Sequence, residues 1–487
     1  MNTSDTAASR SSRSSLSVPE EELKKIFGSR IRIYPGSTTR NSHFVLLWVQ
    51  QALRVRDNHA LAAAVMTANT LDLPLYACFC LVPDYPGANS RHFSFLLQGL
   101  IELEVSLESL GIPLIVDLVS PEEGIPRAAK EAACVVCDSG YTAVQRQWRR
   151  KIADRLVQPM IQMDSDVVVP PFQASDKEEY SAATLRRKLQ RLIDLYLAPV
   201  GPLPVLRNPR KSAEAPPFRP FRSIKPETVL KNMGAFGIRE TVFPVNEMPG
   251  GEVEAWKRID NFLAGNLSHY HDSRNDPGLN IQSELSPYLH FGNLSPVSAA
   301  LAVMAASRED LRLTEGASAF LEQLIVRREL AINFCLFNPS CDNPDAVPPW
   351  AQESLDSHAG DERPEVYTKE QLVAGETGDP FWNAAQKELL LTGKMHGYMR
   401  MYWGKRLIQW MPDWREAYRL LLELNDTYSI DGRDCNGYAG IAWVFGRHDR
   451  PFPERPLFGK IRPMGAKGLK RKFEMELYLE KVKRLKS

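Results

Sequence analysis

His43-Phe-Val-Leu-Leu-Trp-Val49 is a continuous apolar run of strand length, and at it the chain begins to read as a packed domain. A helix-like segment follows, Asn58-His-Ala-Leu-Ala-Ala-Ala-Val-Met66, and then a second apolar run, Pro74-Leu-Tyr-Ala-Cys-Phe-Cys-Leu-Val82. Residues 93–111 place apolar side chains every three or four positions, a helical period. Residues 113–117, 132–137 and 161–169 supply further strands. Strands that are apolar on both faces and alternate with helices need a parallel sheet covered on both sides. Residues 43–175 are therefore predicted to form a Rossmann-like α/β domain. No G-x-G-x-x-G follows the first strand, so nothing points to NAD. Cys134-Val-Val-Cys137 lacks the second ligand pair that zinc requires and reads as part of a buried strand ending at Asp138.

Outward from this domain the chain changes character. The first seventeen residues hold seven serines, two arginines and one acid, which cannot pack a core. Residues 1–42 are predicted to be a disordered or weakly ordered tail, and the same composition suits an organelle transit peptide. Six prolines fall between 201 and 220, interleaved with Arg207, Arg210, Lys211 and Arg219. That density resists helix and sheet, so 176–249 reads as an interdomain linker. Beyond 250 the strands stop and helical patterns dominate, at 253–267, 296–307, 317–337, 382–391, 394–410 and 414–424. Residues 250–487 are predicted to be a mostly α-helical domain large enough to enclose a cofactor.

Of the 487 residues 44% are hydrophobic and 24% charged, as in an ordinary soluble globular chain, and the formal net charge of +1 names no partner. No apolar run is long enough for a membrane span. Seven scattered cysteines argue for a reducing, intracellular compartment, nuclear or cytoplasmic. Charge is uneven locally: residues 441–487 hold thirteen Lys and Arg against five Asp and Glu. The stretch 447–467 alternates basic residues with Pro, Gly and aromatics, which suits contact with a phosphate backbone.

Single motifs are ambiguous. Trp403 and Trp410 lie seven residues apart on one predicted helix and so share a face, which by itself reads as core. The methionines at 395, 399, 401 and 411 read as adaptable packing. Ser283-Glu-Leu-Ser-Pro-Tyr-Leu-His-Phe-Gly292 caps a helix start or binds phosphate, and the loop 431–437 is a capping or ligand loop. In order along the chain they gain meaning. His269-Tyr-His-Asp-Ser-Arg-Asn-Asp-Pro277, SELSPYLHFG (283–292), LIVRREL (324–330), GKMHGYMRMYW (393–403), LND (424–426), DGRDCNGYAGIAW (431–443), HDR (448–450) and FGKIRPM (458–464) closely resemble the class II cyclobutane pyrimidine dimer photolyases. The resemblance spans roughly 43–487 and is strongest from 269 to 475.

It implies an α/β antenna domain followed by a helical domain that holds FAD, reduced and anionic when active. Tyr270, Ser283, Leu285 and Ser286 match positions that contact the flavin phosphates and ribityl chain. Arg400 and Asp431 match an Arg–Asp pair beside the isoalloxazine ring, and Asn425 the residue facing flavin N5. An amide there tolerates a reduced, negatively charged flavin better than a carboxylate would. Trp382, Trp403 and Trp410 match a tryptophan relay to the surface. Arg274, Glu322, Gln323, Arg327, Met401, Trp443 and Arg450 match positions lining the lesion pocket. The implied partner is double-stranded DNA containing pyrimidine dimers, bound by a monomer; no metal site and no membrane partner is implied.

Three features depart from the family pattern. Its carboxylate pair before LIVRRE is here Glu322-Gln323, and an amide can hydrogen-bond a dimer but cannot donate a proton. The turn Gly446-Arg-His-Asp-Arg450 is one residue shorter than the family's. Residues 49–60 lack the family's Arg-Asp-x-Arg opening, which weakens the expectation of an antenna chromophore of 8-hydroxydeazaflavin or folate type. The alternative is a cryptochrome-like blue-light signalling flavoprotein, expected to carry a long C-terminal extension; the sequence runs 23 residues past FGKIRPM.

Overall fold

The run Phe44–Trp48 is strand β2, buried along its whole length near the centre of a six-stranded sheet. The computed structural model describes residues 17–38, 42–210 and 223–485. The strands are β1 (Ile31–Tyr34), β2, β3 (Leu75–Leu81), β4 (Leu114–Leu118), β5 (Ala132–Asp138) and β6 (Met160–Met163), in the spatial order β1-β6-β5-β2-β3-β4. Strands β2 to β6 pair in parallel, and β1 joins the β6 edge antiparallel. Strands β3 and β5, like β2, are buried at every position, which is why their sequences are apolar throughout. The chain builds outward from β2 through β3 and β4, then crosses to the other side of β2 with β5. Strand order thus reverses between β2 and β5, where sheets of this kind open a crevice at the carboxyl ends of the strands.

Three expectations need correction. Part of the segment assigned to a weakly ordered tail is structured: helix Glu20–Phe27 buries Leu23 and Phe27, and β1 follows it. The rest of that assignment, 1–16 and 39–41, lies outside the described residues. The strand expected at 161–169 stops at Met163. Beyond it, the Arg30 guanidinium donates to the carbonyls of Asp164 (3.1 Å), Val167 (3.0 Å), Val168 (2.6 Å) and Tyr196 (2.9 Å). Glu329 accepts from the amides of Val168 and Val169 at 2.7 and 3.1 Å. An apolar sequence does not distinguish a strand from a buried loop whose hydrogen bonds run to polar side chains. The linker 176–249 is likewise not extended throughout, for it contains helices Ala182–Leu189, Ile193–Tyr196 and Pro226–Lys231. Leu185 and Leu189, one turn apart, are buried and dock the first of these. Lys211 and Arg219 of the proline-rich stretch lie outside the described residues.

From Glu252 onward the structure is helical. Glu252–Asn261 runs into a π turn at Phe262–Asn266, and Thr314–Leu321 runs through a second, Glu322–Arg327, into Arg328–Phe337. Helices Pro380–Thr392, Gly397–Trp410, Trp414–Tyr428 and Cys435–Val444 carry most of the quoted motifs. The two halves are tied by buried arginines. Arg91 donates to the carbonyls of Leu389 (3.2 Å), Leu390 (2.7 Å) and Tyr428 (2.6 Å), the negative ends of two helices. Arg54 pairs with Asp166 at 2.6 Å and donates to the Gly292 carbonyl at 2.9 Å. Among the described residues no helix is long and apolar enough to cross a membrane.

Candidate active site

Helix Gly397–Trp410 carries Arg400 toward the end of helix Trp414–Tyr428. One guanidinium nitrogen donates to the Asn425 amide oxygen and the other to Ser429 Oγ at 3.4 Å; Ser429 Oγ donates to Asp431 Oδ1 at 2.6 Å. Burial resists ionisation of Asp431. The charge of Arg400 and hydrogen bonds from Ser429 and Ser286 outweigh it, holding the carboxyl below the usual range. Ser286, Arg400, Asn425 and Asp431 thus meet in one network. Ser429 is the member that no motif singled out. Asn425 is 1% exposed, and its amide nitrogen donates to Asp426 Oδ1 at 3.1 Å. A Cβ on Gly437 would lie 3.0 Å from that nitrogen, so helix Cys435–Val444 comes as close as a glycine permits.

Beside this network, Glu284 bridges two cations, Arg258 at 2.6 Å and Lys394 at 2.9 Å. Neither cation was singled out, although Lys394 lies within a quoted motif. Leu285 is buried next to Glu284, and Ser283 is half-buried on its other side. Tyr270 packs edge-on against Phe262 (5.4 Å) and Phe320 (5.8 Å), and burial pushes its hydroxyl up to about 12. Arg274 faces the Tyr270 ring at 6.0 Å and donates to the His271 carbonyl; its own carbonyl meets His396 Nε2 at 3.0 Å. Its contacts therefore run to Tyr270, His271, Gln282 and His396.

The three indoles pack together, in an order that the sequence does not show. Trp382 lies between the other two, stacked on Trp403 (6.3 Å between centroids, 16° between planes) and edge-on to Trp410 (5.3 Å, 71°). Each N–H is satisfied: Trp382 by the Trp403 carbonyl, Trp403 by Gln386, Trp410 by Glu365. Trp410 is itself buried, and the Tyr367 ring, half-buried, packs edge-on against it at 4.9 Å. Tyr367 is a neighbour that motif reading missed. Trp403 sits three residues after Arg400 on the same helix, so the stack begins one turn from the Arg400–Asn425–Asp431 network.

Around Trp443 a second arrangement forms. The Arg327 guanidinium lies 5.4 Å from the Trp443 ring centroid and the His448 ring 6.2 Å, edge-on. Arg327 Nε also donates to Glu322 Oε1 at 3.2 Å. In an α-helix residues five apart point about 140° away from each other; the wider π turn over Glu322–Arg327 lets this pair meet. Glu322 is held as well by Arg186 at 2.7 and 3.0 Å, and although burial opposes ionisation, the two arginines keep its carboxyl below the usual range. Gln323 is half-buried on the same turn, Met401 packs half-buried against the core beside Arg400, and Arg450 is exposed.

A separate crevice opens where the strand order reverses. It encloses about 1130 Å³ of space, part of it open to solvent, between the ends of β2 and β3 and residues 433–436 at the start of helix Cys435–Val444. Trp48, Tyr85 and Trp148 offer flat faces there, while Gln50, Gln145 and Arg328 supply polar groups. The segment from Asp431 to Asn436, a loop that enters helix Cys435–Val444, therefore has the Arg400 network at one end and this crevice at the other.

The sequence profile of the DNA photolyase family matches residues 45–205. The chain is 41% identical over 465 residues to the deoxyribodipyrimidine photo-lyase of Methanothermobacter thermautotrophicus, a match covering 94% of this chain and 99% of that one. Among solved structures it is similar to a bacterial class III photolyase from Agrobacterium tumefaciens, with a TM-score of 0.67, 20% identity, and 91% and 87% of the two chains covered. It is also similar to an archaeal photolyase from Sulfolobus tokodaii solved with two FAD molecules, with a TM-score of 0.65, 16% identity and 90% of each chain covered. At those identities the structural likeness is one of fold.

Proposed function

The chain belongs to the DNA photolyase family of light-dependent repair lyases, and we propose that it opens cyclobutane pyrimidine dimers in double-stranded DNA with FAD as its cofactor. The observation that carries this reading is the placement of the indole stack one helical turn from Arg400, beside a polar network suited to the edge of a heteroaromatic ring. FAD, when bound and reduced, supplies the light-driven electron that splits the dimer and then recovers it, so the reaction has no net redox change.

The residues fit such a cofactor. Arg400 and Asn425 bring N–H donors and an amide oxygen to one place, while Arg258 and Lys394 provide cations for a diphosphate. Asn425 is neutral and adds no negative charge to a site that must accept one. Tyr270, Ser283, Leu285 and Ser286 line the remainder. The stack Trp403–Trp382–Trp410 conducts charge between this network and the exterior, with Tyr367 over its outer end.

At the lesion side, Trp443 offers a flat apolar face, braced from one side by Arg327. A dimer is already poorly stacked in the duplex, so turning it out costs less than turning out intact bases. Glu322 fixes Arg327, while the Gln323 amide can hydrogen-bond the pyrimidine edges without donating a proton. Arg450, exposed at the turn, meets phosphates. The crevice at the strand ends holds an antenna chromophore with a flat ring system, for which the rings of Trp48, Tyr85 and Trp148 provide walls.

The test is to irradiate the reduced protein with dimer-containing duplex and follow recovery of pyrimidine absorbance. Light-dependent recovery with none in the dark is expected. No recovery, together with equal binding of damaged and intact DNA, would replace the reading with a signalling one.

A further inference from the structure

Tyr180 belongs to none of the residue sets above. Its side chain is 59% exposed, yet both ends of the residue are fixed: the hydroxyl donates to the Asp449 carbonyl at 2.6 Å, and the backbone carbonyl meets His448 Nδ1 at 2.9 Å. The preceding residues are anchored too. Glu178 pairs with Arg447 and accepts from the Asn338 amide at 3.1 Å, while the Glu179 amide donates to Asn333 Oδ1 at 2.8 Å. Residues 178–180 therefore clasp 447–449 from outside and are pinned to helix Arg328–Phe337 and the turn that follows it.

The clasped segment is the shortened turn Gly446-Arg-His-Asp-Arg450, in which Gly446 (φ 100°) and His448 (φ 61°) both hold left-handed backbone conformations. His448, bonded to Tyr180, is the residue whose ring lies edge-on to Trp443. An aromatic ring held in water at a fixed orientation, one residue removed from the Trp443 face, is poorly explained by packing. Exposed cations lie close to it in the chain or on the clasped turn: Lys177 three residues before it (next to exposed Asp176), Arg187 on the helix that begins two residues later, and Arg450. A polyanion is the partner such a rim favours.

We propose that Tyr180 is a DNA-contacting residue, its ring a second aromatic face beside Trp443 on which a base left unstacked by the flipped dimer rests. The chemistry is sequence-tolerant, because every base has a π face. This suits a position that must accept whatever bases flank or oppose the lesion.

The inference rests on the DNA-repair reading, and its test separates the two. Binding of dimer-containing and intact duplex is measured in the dark for the full chain and for Tyr180→Ala and Tyr180→Phe, with 2-aminopurine opposite the lesion reporting base stacking. Tyr180→Ala is expected to weaken binding of the damaged duplex about tenfold and brighten the 2-aminopurine, while Tyr180→Phe, which keeps the ring, stays within about twofold. Binding of intact DNA is unchanged in both. A Tyr180→Ala protein that binds and quenches like the unaltered chain, or that loses damaged and intact DNA together, overturns the inference. If that variant fails to fold, Tyr180→Leu replaces it under the same criteria. Failure of the unaltered chain to prefer damaged DNA breaks the repair reading first.

Discussion

Two aromatic assemblies in the helical half put the same kinds of side chain to opposite uses. Trp382, Trp403 and Trp410 are buried to within 1%, and every indole N–H has a partner. Trp443 and His448 sit half-exposed at a rim, held by a guanidinium and a neighbouring backbone carbonyl. Burial fixes ring separations, because a closely packed interior leaves no room for the rings to drift. Exposure leaves faces free for a ligand, and charged neighbours then do the orienting. Substitutions in the stack should therefore change light chemistry and stability together, whereas substitutions at the rim should change binding alone.

The largest break in that contrast is expected from Trp382→Phe, which removes the middle ring. Light-driven reduction of the bound flavin should fall to background, while protein reduced chemically still repairs. Lost volume and the lost indole hydrogen bond to the Trp403 carbonyl, which keeps its helical partner, should lower stability by about 2 kcal/mol, read by denaturant unfolding. Trp443→Ala should do the reverse. Binding of damaged duplex should weaken by about 2 kcal/mol, some thirtyfold, with photoreduction unchanged. Loss of photoreduction in Trp443→Ala would erase the distinction between the two assemblies.

The contrast also shows what the sequence could and could not reveal. Strands β2, β3 and β5 were legible because burial on both faces leaves an unbroken apolar run. Helix Gly397–Trp410 was legible from its period, but the order Trp403–Trp382–Trp410 was not, since the middle ring comes from another helix. The π turn at Glu322–Arg327 leaves no local signature, for Leu324, Ile325 and Val326 fit an ordinary helix equally well. Motif order brought Ser286, Arg400, Asn425 and Asp431 to attention, and the structure joins them. It also adds Ser429, Arg186 and Tyr180, whose roles come from long-range contacts that no spacing encodes.

A smaller effect is expected at the link between Glu322 and the rim. Glu322→Gln should leave Arg186 and Arg327 facing each other without a counter-charge, letting the Arg327 guanidinium move off Trp443. The side chains are partly exposed, so solvent screens the loss, and about 1 kcal/mol, or fivefold in binding of damaged duplex, is expected. A double-mutant cycle with Arg186→Met isolates the pair. Coupling near zero would mean that Arg186 does not help Glu322 hold Arg327.

The smallest effect concerns pH and lies in neither assembly, but in the chain beyond the rim turn. His358 Nδ1 meets Asp361 at 2.6 Å and Nε2 meets Glu454 at 3.0 Å; hydrogen bonds to these two carboxylates, Asp361 first, raise the imidazole above its ordinary value. Asp361 also accepts from the Leu457 amide at 2.7 Å, so the group ties the chain beyond Arg450 back to helix Pro349–Ser357. A histidine raised in the fold contributes stability that is fully present below its unfolded value and lost as pH rises through its folded value. Solvent reaches the group, so the contribution is screened to less than about 1 kcal/mol. As pH rises from below the ordinary imidazole value through the raised folded one, the contribution of His358 should be lost. It is read as a difference of a degree or two in thermal midpoint between the unaltered chain and His358→Gln that shrinks with pH and is less at high salt. The indole stack contains no group that titrates in this window, so photoreduction should not follow the same profile. If it did, the chain beyond the rim turn and the stack would be one coupled unit.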